Sequence, residues 1–237
     1  MIPLKDNIPT RTFPIITLGF IFVNIIIFVW QHIILHASAG ASLYTYFGLV
    51  PKEFIASFIS RHDLLPYNVM TIFTSMFIHG GFLHIIGNMI YLWIFGNNIE
   101  DRLGHAGFFI FYIVSGICAA LFQLFYDPLS EIPMIGASGA VSGILGAYLV
   151  CYPRARIKTL LIIVIFIKIV DVPAILLLTA WFFMQFLYMN VDGIAWYAHV
   201  GGFIFGLLFA VVFLAGRRGK RAAGARSSSK RYRNRRV

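Results

Sequence analysis

Apolar residues in this chain fall into long runs separated by short polar clusters. The first run extends from Pro14 to Leu35. Others extend from about Phe82 to Ile99, Phe108 to Tyr126, Ser138 to Pro153, Pro173 to Met189 and Trp196 to Ala215. A transmembrane helix needs about 20 mostly apolar residues. The pattern therefore predicts an all-α membrane protein, a bundle of six transmembrane helices. The stretch from Ala37 to Ile78 mixes Pro51, Lys52, Glu53, Arg61, His62, Asp63 and Pro66 with aromatics. It is too polar to span and too apolar for a free loop. We place this long first outer loop at the interface, partly as short amphipathic helices. Thr159 to Ile167 is apolar but too short to span, and Lys168 and Asp171 close it. It reads as an interfacial or re-entrant piece. The first run, followed by Ala37-Ser38-Ala39, looks like a signal peptide, but it exceeds the roughly 7–15 residues of a signal core. It reads as an uncleaved span.

Composition agrees with this reading. The chain is 59% hydrophobic and 12% charged, against roughly 25% charged in soluble domains. Cys118 and Cys151 lie inside apolar runs and read as small packing residues. The net charge of +10 is concentrated: ten of nineteen Lys and Arg lie from Arg217 to Arg236. Just past a span, such a tail sets topology and attracts anionic lipid; no nucleic-acid partner is expected. Its Gly, Ser and Arg content predicts disorder. With both termini cytoplasmic, the inner segments hold Lys5, Arg11, Arg102, Arg154, Arg156, Lys158, Lys168 and the tail. The outer segments then hold Lys52 and Arg61, as the positive-inside rule requires. The chain divides into a short N-terminus (1–12), a six-span core (13–216) and a basic tail (217–237). Without a recognisable transit peptide, a prokaryotic plasma membrane is expected.

In this orientation spans two, four and six begin at the outer face. Each carries polar residues at its start: His84 and Asn88, Ser138, and His199. Three coincident helix starts suggest one site. Ser138 to Tyr152 is about 15 residues, roughly 22 Å of helix, while the hydrocarbon core is about 30 Å thick. If Arg154 and Arg156 pin the inner end, Ser138 sits below the outer surface, on the floor of a cavity. Gly136, Gly139, Gly143 and Gly146 line span four, and Gly201, Gly202 and Gly206 line span six. Gly139 to Gly143 and Gly202 to Gly206 have the small-xxx-small spacing that lets helix backbones approach. Packing through those faces would bring Ser138 and His199 together.

A serine hydroxyl becomes a nucleophile when a base takes its proton, and a neutral imidazole is such a base. The helix start at Ser138 offers a backbone N–H for an oxyanion. His84 and Asn88, at i and i+4, share a helix face. No acid is placed as a third member, because Asp192 lies outside the sixth span. The residues alone leave two readings open: a Ser–His dyad, or the lining of a transporter or channel, in which Asn88 and Ser138 serve helix packing.

Gly136-Ala137-Ser138-Gly139 resembles the GxSG nucleophile motif of rhomboid intramembrane serine proteases. Ala198-His199-Val200-Gly201-Gly202, with Gly206 beyond, resembles that family's histidine motif. His84-Ile85-Ile86-Gly87-Asn88, preceded by His79-Gly80-Gly81, resembles its HxxxN motif, and Glu100-Asp101-Arg102-Leu103-Gly104 its ExRxG-like element. The resemblance covers about residues 13 to 216. It implies a rhomboid-like six-helix bundle cleaving the transmembrane helices of single-span protein substrates near their outer ends. Ser138 would be the nucleophile, His199 the base, and His84, Asn88 and the Ser138 N–H the oxyanion donors. No cofactor or metal is implied. The fifth span and a capping loop would gate entry. Two departures stand out. The Trp-Arg pair of many members' first outer loop is missing, Arg61-His62 being the nearest basic pair. Ser142 occupies the place where some members stack an aromatic ring on the histidine.

Overall fold

The computed structural model describes residues 1–37, 41–163, 166–189 and 194–233. Asp192, residues 38 and 39 of the signal-like Ala-Ser-Ala, and the last four tail residues lie outside the described residues. The chain runs from strand β1 (Ile2–Asp6) through helix α1 (Ile15–Ala37) to three short helices. These are α2 (Ala41–Phe47), α3 (Pro51–Ile59) and α4 (Leu65–Thr74). Pro51 starts α3, where its missing N–H costs nothing. α3 buries Pro51, Phe54 and Ser57 on one face, and Leu49, Phe54, Ile72, Ala120 and Leu124 form a small core beneath it.

The second apolar run is α5 (Phe82–Tyr91), a π-helical turn (Leu92–Gly96) and α6 (Asn97–Leu103). The segment before it, His62–Phe77, meets it at 80°. The wide turn ends at Gly96, where a Cβ would lie 3.3 Å from Thr17 Oγ1 of α1. α7 (His105–Tyr126), α8 (Ser138–Cys151), α9 (Ala174–Met184) and α10 (Trp196–Arg233) complete the helices. Among the described residues, three helices are long and apolar enough to cross a membrane: Ile15–Ile33, His105–Tyr126 and Trp196–Gly216. The bent pair makes a fourth, and Ser138–Cys151 and Ala174–Leu187 are shorter apolar helices. The helix of α10 runs on to Arg233, into the segment whose composition reads as disordered; Ala, Arg and Lys are good helix formers.

One expectation is corrected. The chain is mostly helical but not all-α. The piece read as interfacial or re-entrant is a hairpin, β2 (Arg156–Ile163) and β3 (Phe166–Pro173), and β1 adds a third antiparallel strand in the order β1-β2-β3. Ile157 faces Val172 and Asp6, and Leu160 faces Ile169 and Ile2. The segment is dense in Ile and Val, residues that favour a pleated strand. A short apolar run does not reveal its secondary structure by periodicity.

α8 is the centre of the molecule. Ile144, Leu145 and Tyr148 are fully buried, and Ala140, Val141 and Ala147 nearly so. A helix apolar on all sides is one that neighbours enclose. Against α10 the approach is backbone to backbone. A Cβ on Gly206 would stand 1.8 Å from the Gly143 carbonyl oxygen, and one on Gly202 would stand 2.2 Å from that of Gly139.

The end of α8 remote from Ser138 is closed by polar groups. Asp6 Oδ2 accepts hydrogen bonds from Asn98 Nδ2 (2.7 Å) and the Tyr148 hydroxyl. Buried Glu100 accepts from the Ile16 and Thr17 N–H groups at the start of α1, from the Thr17 hydroxyl and from His105. Asp101 accepts from the Arg11 and Thr12 N–H groups. Glu100, at α1's first turn, satisfies N–H groups that have no partner within the helix.

Candidate active site

Ser138 opens α8. The preceding loop is held from two sides. Gly136 N–H donates to the Ser75 carbonyl (2.8 Å), and Ala137 N–H donates to His79 Nε2 (3.4 Å). His79 is fully buried. Gln31 of α1 clamps its backbone, Nε2 donating to its carbonyl and Oε1 accepting its N–H. Gly136 has φ of +112°, in the left-handed region, and a Cβ there would stand 2.6 Å from His84 Nε2. Both conformation and space require glycine at this position.

The Ser138 hydroxyl lies 2.8 Å from His199 Nε2. The spacing that lets them meet is the glycine contact between α8 and α10. On its other side, His199 Nδ1 lies 2.8 Å from Gln185 Oε1. Gln185 belongs to a 3₁₀ turn, Gln185–Tyr188, that continues α9. Trp181, at 6.2 Å between ring centroids and 42° of tilt, flanks the imidazole without stacking on it. Ser142 turns away, donating to the Ser138 carbonyl at 2.6 Å. Gln123 Oε1 of α7 accepts the Ala198 N–H (3.2 Å), fixing the backbone beside His199.

A cavity of about 420 Å³ opens over the pair, lined by Ser138, His199 and His84 among others. Small residues, Gly116, Ala119, Gly139 and Ala140, form part of its wall. The His84 tautomer follows from its partner. Gly80 N–H donates to Nδ1 (3.3 Å), so the ring proton sits on Nε2, beside Gly136. Asn88 is placed differently. It is buried, and its Nδ2 donates along the helix to the His84 carbonyl (3.1 Å), outside the cavity lining. The structure thus brings Ser138, His199 and His84 together and holds Asn88 one turn behind. Among the described residues, no three of His, Cys, Asp and Glu converge as a metal site.

Two residues with direct contacts were not singled out from sequence. In the sequence His79 stands out only within His79-Gly80-Gly81, and Gln185 does not stand out. The available signal for Gln185 was an amide inside an apolar run, 14 residues before His199.

Comparison with known proteins fits this geometry. The family model of the Rhomboid domain matches residues 66–216. "Rhomboid protein 1, mitochondrial" of Saccharomyces cerevisiae is 33% identical over 179 residues, 69% of this chain and 48% of that protein. "Rhomboid protease GluP" of Bacillus subtilis is 28% identical over 155 residues, 64% of this chain and 28% of that protein. "RHOMBOID-like protein 5" of Arabidopsis thaliana is 38% identical over 76 residues, 32% of this chain and 25% of that protein. The matches span about half, or less, of these relatives' own lengths.

Proposed function

Because the chain belongs to the rhomboid family, we propose that it is an intramembrane serine endopeptidase cutting transmembrane helices of other membrane proteins near their outer ends. The observation that carries this reading is the 2.8 Å contact between the Ser138 hydroxyl and His199 Nε2. His199 takes the hydroxyl proton as Oγ attacks the scissile carbonyl. The resulting oxyanion is met by the Ser138 N–H and by His84 Nε2–H, with Asn88 as a further donor when its amide turns from the His84 carbonyl. The imidazolium then protonates the leaving amine and the C–N bond breaks. Water, deprotonated by His199, hydrolyses the acyl-enzyme and restores Ser138.

The membrane reading supports the same chemistry. We read six crossings, the three long helices, the bent second one and the two short ones. α8 is about 21 Å long at 1.5 Å per residue, short of a hydrocarbon core of about 30 Å. Ser138 is then below the outer surface, in a cavity that admits water. β1 joins the N-terminus to the hairpin carrying Arg156, Lys158 and Lys168, so one end of the molecule collects the cations and is cytoplasmic. The tail's ten Lys and Arg from Arg217 to Arg236 suit an anionic headgroup surface. Substrates are single-span helices that unwind at the cavity and present a small residue to its Gly- and Ala-lined wall. The relatives include mitochondrial and Bacillus proteins, and the expectation of a prokaryotic plasma membrane gains no support from them.

Wild type and Ser138→Ala, reconstituted with a single-span reporter in liposomes, provide the test. Wild type yields two fragments from a cut near the outer end, and Ser138→Ala yields none. Undiminished cleavage by Ser138→Ala contradicts the proposal.

A further inference from the structure

A base that works through Nε2 must carry its proton on Nδ1, and something must hold the ring so that its lone pair faces the nucleophile. Among the described residues, no carboxylate hydrogen-bonds Nδ1 of His199. Ser142 offers no ring, and Trp181 is too far and too tilted to stack. What touches Nδ1 is Gln185 Oε1, at 2.8 Å.

The orientation of that amide is fixed independently. Gln185 Nε2 donates to the Trp181 carbonyl at 2.9 Å, one turn back. The opposite flip would set two acceptors against each other there, and the amide oxygen is therefore the group facing His199. An oxygen can only accept, so Nδ1 is the protonated nitrogen of the ring. Nε2 is left with its lone pair toward the Ser138 hydroxyl. Gln185 is 4% exposed, so water does not compete for either bond. Its backbone lies on a 3₁₀ turn at the end of a helix whose Leu177 and Leu178 are buried.

We propose that Gln185 is the positioning residue of the dyad: it holds His199 in the Nδ1–H tautomer and in line with Ser138. This rests on the serine-protease reading of the same site. The residue acts only through His199. Being neutral, it orients the imidazolium without supplying the counter-charge of a carboxylate.

Two substitutions test this. Gln185→Met keeps length and packing but removes the strong acceptor. In Gln185→Glu the carboxyl, when protonated, reproduces both bonds: its O–H donates to the Trp181 carbonyl and its carbonyl oxygen accepts from Nδ1. Fluorophosphonate labelling rate, kcat and KM are measured on purified protein and normalised to the folded fraction. Gln185→Met is expected to lose about 10- to 100-fold in kcat and in labelling rate, the scale of one lost hydrogen bond to a charged group, with KM within about twofold. Gln185→Glu is expected to recover to within about threefold of wild type. The proposal is overturned if Gln185→Met stays within twofold of wild type in kcat. It is also overturned if Gln185→Glu is as impaired as Gln185→Met, or if the loss appears in KM alone. Wild type that neither labels nor cleaves would instead overturn the protease reading, so the two failures are distinguishable.

Discussion

At the scale of single residues, the site is a chain of neutral hydrogen bonds whose directions are set by their outermost members. Gly80 sets the His84 tautomer, and the Trp181 carbonyl sets the Gln185 amide. The donor His84 Nε2–H then faces the place where charge develops. Loss of one such donor costs about 10²–10³ in kcat, and His84→Ala is expected to fall in that range with KM little changed. Asn88→Ala should cost less, because its amide is tied to the His84 carbonyl. In a double-mutant cycle the two effects should not add; steady-state kinetics on all four proteins checks this. Ser138, His199 and His84 were legible in the sequence as candidates because three helix starts carry them, although the residues alone left a packing or pore-lining use open. Gln185 was not, because an amide in an apolar run reads equally as a helix–helix hydrogen bond. Its role depends on a ring that approaches from another helix.

At the scale of elements, the contact that matters is between α8 and α10. It is made of backbone: carbonyl oxygens of Gly139 and Gly143 lie where the Cβ atoms of Gly202 and Gly206 would be. Gly206→Ala must push the helices apart, and its consequence should reach the Ser138–His199 distance. We expect a lower melting temperature and at least a tenfold loss of cleavage. Gly216→Ala, where nothing lies within 4 Å, should leave both unchanged; a thermal melt and the reporter assay on the two variants separate the cases. The apolar runs and the glycine spacings made the helices readable in advance. The hairpin was not readable, because Leu160 to Ile167 is unbroken apolar sequence and its strand partner, Ile2–Asp6, lies more than 150 residues away.

At the scale of the whole molecule, the two ends of α8 do different work. One opens on the cavity. The other is tied to β1 by the half-buried Asp6 carboxyl, which also accepts from Asn98 of α6. Burial pushes the Asp6 carboxyl above its ordinary value of 3.8, against hydrogen bonds from Tyr148 and Asn98 that pull it down. Its folded value is raised, so the folded state holds this proton more tightly than the unfolded state. Asp6 therefore contributes stability as pH falls through its folded value toward 3.8, and that contribution is lost as pH rises again. Asp6→Asn keeps an acceptor for Tyr148 without the charge. It should be at least as stable as wild type at pH 7, and a series of melts between pH 7 and pH 4 should show a flatter profile.

The proposed chemistry depends on His199 activating Ser138. The most direct measurement is labelling of the detergent-purified protein by a fluorophosphonate probe, followed by mass spectrometry of the modified peptide. An activated dyad predicts one adduct on Ser138, absent from Ser138→Ala and strongly slowed in His199→Ala. Equal labelling of wild type and Ser138→Ala, or none of the wild type, would contradict it.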